Sequence, residues 1–207
     1  MRQFPMINNP SNPVDVSNGM SLDDFMRLSY EQPFEIINGR KIDKYKQMPT
    51  IFDHFYIIRT LFRILDAYLL KTNLGEVFSE ATFILPEKDN PNWVKGSRLP
   101  DLMIFTRARY DAYIAGQPDY RSRPLSLIPD LIIEVLSPND LFFDVEEKIF
   151  IDFDNGVKVI WLIDPIHKRA SIYTADSMAV QRFHIEGQLS APDILPNFVL
   201  DLAQIWG

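Results

Sequence analysis

Between Thr50 and Leu70 the apolar residues Ile51, Phe55, Ile58, Phe62, Leu65 and Leu69 recur at steps of four and three. This spacing predicts one face of a long helix, with Arg59, Arg63 and Asp66 off the stripe. The stripe has to be covered, and the rest of the chain offers strands to cover it. Val77–Leu85, Leu102–Phe105 and Leu131–Leu136 are rich in β-branched and aromatic residues. Val157–Ile163 is apolar apart from Lys158, as in a strand buried on both faces. Ala170–Tyr173 and Ala179–Phe183 are thinner strands, and Leu195–Ile205 closes the chain as a strand or helical turn. A second helix is expected from Asp140 to Phe153, capped by Asn139 and stopped by Asn155-Gly156.

Upstream, Ser21 and Asp24 stand at the N-cap and N3 positions of a short helix. Asn38-Gly39 between Phe34–Ile37 and Arg40–Ile42 predicts a β-hairpin, because both central residues of its turn need positive φ. The order of helices and strands predicts an α/β fold with a mixed β-sheet flanked by helices. No repeat or linker divides the chain, so residues 21–207 are expected to form a single domain. Residues 1–20, rich in Asn and Pro, are expected to be a mobile N-terminal arm.

The chain has no Cys, which excludes disulfides, thiolate-ligated zinc and thiol nucleophiles. No stretch is apolar enough for a signal peptide or a membrane span, and a reducing cytoplasm is the expected compartment. A net charge of −7 speaks against coating nucleic acid by bulk charge.

Chemistry enters with the acids of two strands. Pro100-Asp101 introduces Leu-Met-Ile-Phe, Pro129-Asp130 introduces Leu-Ile-Ile, and Glu134 lies inside the second run. A carboxylate in an apolar strand is costly unless it is paired, hydrogen-bonded or holds a cation. Asp130, Ile132 and Glu134 share one face of their strand. If the two strands lie side by side, Asp101 and Glu134 come within reach of one Mg²⁺, a hard ion that takes one or two carboxylates and fills its shell with water and phosphate. Lys148, on the following helix, is the candidate cation beside them, on one helix face with Asp144 and Asp152. A blander assignment stays open: Glu134 binds a buried Arg, and Lys148 pairs with Asp144 on the surface.

Arg98-Leu99-Pro100-Asp101, the run from Pro129 through Glu134-Val135-Leu136-Ser137-Pro138, Asp144 to Lys148, and Trp161-Leu162-Ile163-Asp164-Pro165 together resemble the PD-(D/E)XK nuclease superfamily. More closely, they resemble its Uma-two branch of restriction-endonuclease-like proteins. Phe34 to Gly39 and His54 fall where that branch has a hairpin and a helix, so the likeness runs from about residue 21 to the C-terminus. The resemblance implies a restriction-endonuclease-like core. It also implies Mg²⁺ or Mn²⁺ held by Asp101, Glu134 and the backbone carbonyl of Val135, with Glu35 as a further acidic position. The superfamily's lysine two residues after the acid is Leu136 here, and Lys148 takes its place on the helix. Asp152 stands where the branch carries an aromatic residue, and Val159-Ile160 where it carries Glu-Tyr.

Residues 92–123 and 36–48 each carry a local net charge of +3, near Asp101 and Glu35 respectively. Arg40, Lys41, Lys95 and Arg98 are the candidate DNA contacts, although solvated loops account equally for these charges. His54 is expected to be a hydrogen-bonded interface histidine. Trp161 is expected in the core. Ser137 lacks a nucleophile elbow, and no glycine-rich phosphate loop is present. The expectation is a Mg²⁺-dependent DNA endonuclease with Asp101, Glu134 and Lys148 as catalytic residues, acting as a homodimer. The alternative is a nuclease-fold protein that binds nucleic acid or protein without efficient turnover.

Overall fold

The computed structural model describes residues 14–44, 52–138, 140–177 and 180–206. Most of the expected arm, Lys46, Ile51, the cap residue Asn139 and Ala179 lie outside these residues. Val14–Asp15 and Met20–Ser21 form two short strands, β1 and β2, so the described end of the arm is tied into a sheet. Helix α1 follows over Leu22–Glu31, with the Ser21 hydroxyl accepting from the Asp24 amide at 3.1 Å and donating to Asp24 Oδ2 at 2.8 Å.

The expected hairpin joins β3 (Phe34–Ile37) to β4 (Arg40–Asp43). Asn38 and Gly39 both have positive φ, 47° and 71°, and Ile37 pairs with Arg40 across the turn. The long helix α2 spans Phe52–Thr72. Then come β5 (Gly75–Ser79), β6 (Phe83–Glu87), β7 (Asn90–Arg98), β8 (Leu102–Thr106), α3 (Arg107–Gly116) and β9 (Leu131–Val135). Helix α4 (Phe142–Asp154) leads to β10 (Val159–Asp164), β11 (Arg169–Thr174) and β12 (Val180–His184). Two short strands, β13 (Gln188–Leu189) and β14 (Leu200–Asp201), pair near the end.

One sheet is antiparallel, ordered β1-β4-β3-β7-β2 with β6 also on β7. The other runs β12-β11-β10-β9-β8-β5 and is mixed, since β9 and β10 are parallel and joined through α4 while the other pairs are antiparallel. Leu131, Ile133 and Val135 pack on Ile57, Ile58, Leu61, Leu65 and Leu69 of α2, together with the C-terminal segment. Ile132 faces the other way, with Met103, Phe105, Ile160 and Ile149 of α4. Glu134 shares the face of Ile132, as expected from the sequence, and that face is the α4 side.

Several elements differ from expectation. The buried stripe of α2 begins at His54 rather than Phe55, because the first turn faces the strand end that carries Asp101. Val77–Leu85 is not one strand: the chain turns at Glu80, at φ 47°, and sends β5 and β6 into different sheets. Strand β7 was not expected, since its Pro, Asn and Gly mask any alternation. Helix α3 buries no residue, so it has no stripe to reveal it. Leu195–Ile205 resolves into β14 and a short 3₁₀ turn.

Candidate active site

The antiparallel pairing of β8 with β9 sets Leu102 opposite Ile133, which brings Asp101 level with Glu134 one step further on. The Val135 amide donates to Asp101 Oδ2 at 2.7 Å. The expected juxtaposition of the two acids is therefore built from sheet register. Asp101 is buried, and burial together with the nearby Glu134 charge pushes its carboxyl up to about 7, against the opposing pull of Lys44 and the Val135 hydrogen bond.

Arg98, at the end of β7, stands at the centre of the acids. Its Nε and Nη2 donate to Asp152 Oδ1 and Oδ2 at 2.9 and 3.0 Å, its Nη1 pairs with Glu35 Oε1, and its Nη2 reaches Glu134 Oε1 at 3.1 Å. The residue is 1% exposed. Burial opposes its charge, but the three carboxylates outweigh burial and raise its pKa well above the ordinary value. The expectation that Arg98 contacts DNA is thus corrected: its guanidinium is directed inward to protein acids. The buried Arg that the blander assignment offered for Glu134 is present, and it occupies one oxygen of a carboxylate that keeps 19% of its side-chain surface.

Asp152, which the sequence placed beside Lys148, is instead the bidentate partner of Arg98. Burial keeps its carboxyl above the usual value despite the guanidinium. Lys148 bonds neither Asp144 nor Glu134: its Nζ lies 3.0 Å from Glu35 Oε2, an ion pair without the geometry of a directional hydrogen bond. Glu35 also accepts the Leu99 amide at 2.9 Å. Although its burial opposes ionisation, Arg98, Lys148 and Lys44 together hold its carboxyl well below the usual range.

Two further residues complete the site. Lys44, just beyond β4, donates from Nζ to the Leu99 carbonyl at 2.8 Å, and the fields of Glu134, Glu35 and Asp101 keep it charged despite burial. Sequence reasoning counted it only within a basic stretch. The signal available was its place at the end of the strand paired with Glu35's. His54 Nε2 lies 3.8 Å from Asp101 Oδ1, too far for a hydrogen bond, and Nδ1 is buried with no partner among the described residues. The expected hydrogen-bonded histidine is therefore a buried one whose pKa is lowered by burial and by Lys44.

Asp130 belongs elsewhere. It is fully buried, accepts hydrogen bonds from the Thr106 amide and hydroxyl and from Lys158, and forms an ion pair with Arg109, contacts that fix the start of β9. Arg40 and Lys95 are exposed, the latter meeting the Asn18 carbonyl and Glu87. Lys41 pairs with Asp43 and covers the Phe34 ring. Trp161 is in the core, as expected.

No group of three or more His, Cys, Asp or Glu side chains among the described residues is arranged to hold a metal ion. Asp101 and Glu134 offer less than a protein cage, but they suit an ion of the magnesium class, which keeps several waters and binds through one or two carboxylates. Two features favour that fit: both donors are oxygen, and burial together with the Glu134 charge raises the Asp101 carboxyl, so a cation beside the pair would offset both effects. Val135, whose carbonyl the resemblance implied as a ligand, joins the site through its amide.

A search among curated proteins finds no match. Among solved structures, the chain is similar to one described as a "putative nuclease belonging to DUF820" from Anabaena variabilis ATCC 29413. The TM-score is 0.69 at 22% identity, over 90% of this chain and 97% of that one. That likeness fixes the restriction-endonuclease-like fold. The family model Uma2, described as "Putative restriction endonuclease", matches residues 22–203. With the register of Asp101 against Glu134 and this match over most of the chain, the protein belongs to the Uma2 family.

Proposed function

We propose that the protein is a divalent-metal-dependent DNA endonuclease that hydrolyses phosphodiester bonds. The observation that carries this reading is the alignment of Asp101 with Glu134 across β8 and β9, in a buried setting where the two carboxylates repel one another. Such a pair gains most from a divalent cation and a phosphate oxygen beside it.

Asp101 and Glu134 would hold magnesium or manganese, which when bound would supply Lewis acidity and a more acidic water at the phosphate. The protein's share is placement. The Val135 amide holds one oxygen of Asp101 and leaves Oδ1 on the side of His54. Arg98 holds Oε1 of Glu134, so the second oxygen is the one available for a ligand. Asp152 and Glu35 fix Arg98 in turn, and Lys148 holds Glu35. The acid pair is therefore preorganised by its neighbours. Arg40 and Lys95 are the exposed cations suited to the DNA backbone. Cutting both strands of a duplex would employ two copies of the chain, in the cytoplasm.

A second reading rests on one contact. The 3.1 Å pair between Arg98 and Glu134 occupies a would-be metal acid, as in a nuclease fold that binds nucleic acid or protein without cutting. Plasmid nicking separates the two. Wild type should nick with Mg²⁺ or Mn²⁺ and lose this activity on chelation, and Glu134→Ala should be inactive. Equal nicking by both proteins would assign the activity to a contaminant, and a correctly folded but inactive wild type would favour the binding module.

A further inference from the structure

The ammonium groups at the site divide by what they touch. Lys148 is committed to Glu35 Oε2 at 3.0 Å. Lys44 donates to a neutral group, the Leu99 carbonyl at 2.8 Å, and makes no carboxylate ion pair among the described residues. Leu99 lies two residues before Asp101 in the connection from β7 to β8, so this bond fixes Lys44 relative to the acid pair. The backbone of Lys44 is fixed as well: its amide donates to the Pro33 carbonyl at 2.9 Å, and its carbonyl accepts from Gln32 Nε2 at 2.8 Å. A lysine anchored at both ends keeps its ammonium in place without being neutralised by contact.

Charge balance points the same way. Arg98, Lys148 and Lys44 face four acids, Asp152, Glu35, Glu134 and Asp101, which leaves one net negative charge when all are ionised. A divalent ion added to this remainder gives one net positive charge, and a phosphodiester carries one negative charge. With Asp101 ionised, as a metal ligand must be, the site is neutral only with both in place.

We propose that Lys44 is the catalytic lysine, its ammonium meeting the scissile phosphate beside Asp101 and Glu134, and that Lys148 is a positioning residue acting through Glu35. This assignment rests on the nuclease reading above. The Lys44 ammonium donates hydrogen bonds to a non-bridging phosphate oxygen as charge develops there, and no proton need leave it.

The test compares Lys44→Met, Lys44→Arg and Lys148→Met with wild type and Glu134→Ala. It uses metal-dependent plasmid nicking, calorimetric Mn²⁺ affinity without DNA, and thermal unfolding. Lys44→Met should lose about a hundredfold in nicking rate, bind Mn²⁺ as tightly as wild type or tighter, and remain folded. Lys44→Arg should recover part of the rate. Lys148→Met should lose less activity than Lys44→Met and show a lower unfolding temperature. Nicking by Lys44→Met within about threefold of wild type, or a larger loss in Lys148→Met, would overturn the assignment alone. Faster nicking by Lys44→Met with tighter Mn²⁺ binding would also overturn it, by making Lys44 a competitor of the metal. Absence of Glu134-dependent nicking in folded wild type would instead overturn the nuclease reading, and the assignment with it.

Discussion

Arg98 and Asp152 meet through two parallel hydrogen bonds of 2.9 and 3.0 Å, and neither side chain keeps more than 3% of its surface. The pair pins α4 to the end of β7. It also lets one guanidinium serve Glu35 and Glu134 at the same time.

Removing the guanidinium leaves buried acids without their partner. Arg98→Met should cost about 3–5 kcal/mol of stability. Asp152→Leu should also destabilise, since Arg98 loses its bidentate partner. The double variant should lose less than the two single losses added together, because the coupled charges leave together. Urea unfolding of the four proteins measures this, and strict additivity would contradict the coupling.

Glu35 gives the fold an acid-sensitive contact. Its folded pKa lies below the ordinary 4.5, so its contribution is present above that value and is lost as the pH falls further. Glu35→Gln should be less stable than wild type at neutral pH. Its stability should also fall less steeply with acidification below about pH 4.5. Denaturation series across that range would show two parallel curves if Glu35 were uninvolved.

Asp101 acts with the opposite sign. Its folded pKa of about 7 exceeds the ordinary 3.8, so its contribution is full below the lower value and is lost as the pH rises through the higher one. In metal-free protein Asp101→Asn should therefore be more stable than wild type at pH 8, on the order of 1–4 kcal/mol, with a smaller gap at pH 5. Because bound metal requires the carboxylate, wild-type Mn²⁺ affinity should rise from pH 6 to pH 8. Calorimetry at both pH values checks this; an unchanged affinity would remove Asp101 from the ligand set.

Gly39 carries the hairpin turn at φ 71°, and a Cβ there would lie 2.6 Å from the Cα of Ser17. Gly39→Ala should destabilise by more than about 1 kcal/mol, from strain and from displacement of the β1 segment. Thermal unfolding measures the loss, and an unchanged midpoint would show that the turn relaxes freely.

The acid pair was legible because each member advertised itself locally. Asp101 follows Pro100 at a strand entrance, and Glu134 interrupts an apolar run where an uncompensated charge is expensive. The Asn38-Gly39 hairpin and the Ser21 cap were legible for the same reason, as each depends on the chemistry of adjacent residues. Strand β7 and helix α3 were not, because one lacks alternation and the other buries nothing.

Partners were the hidden layer. Arg98 sits 54 positions from Asp152, 63 from Glu35 and 36 from Glu134, and no local pattern distinguishes a DNA-facing arginine from an inward one. Helical spacing put Lys148 beside Asp144 and Asp152, yet tertiary packing directed it to Glu35 and gave Asp152 to Arg98. Periodicity reports which way a side chain leaves its own element, and this put Glu134 on the Ile132 face, while the pairing of β8 with β9 brought it level with Asp101. The choice among competing long-range charges depends on which strand ends and helix faces converge, and only the folded chain decided that.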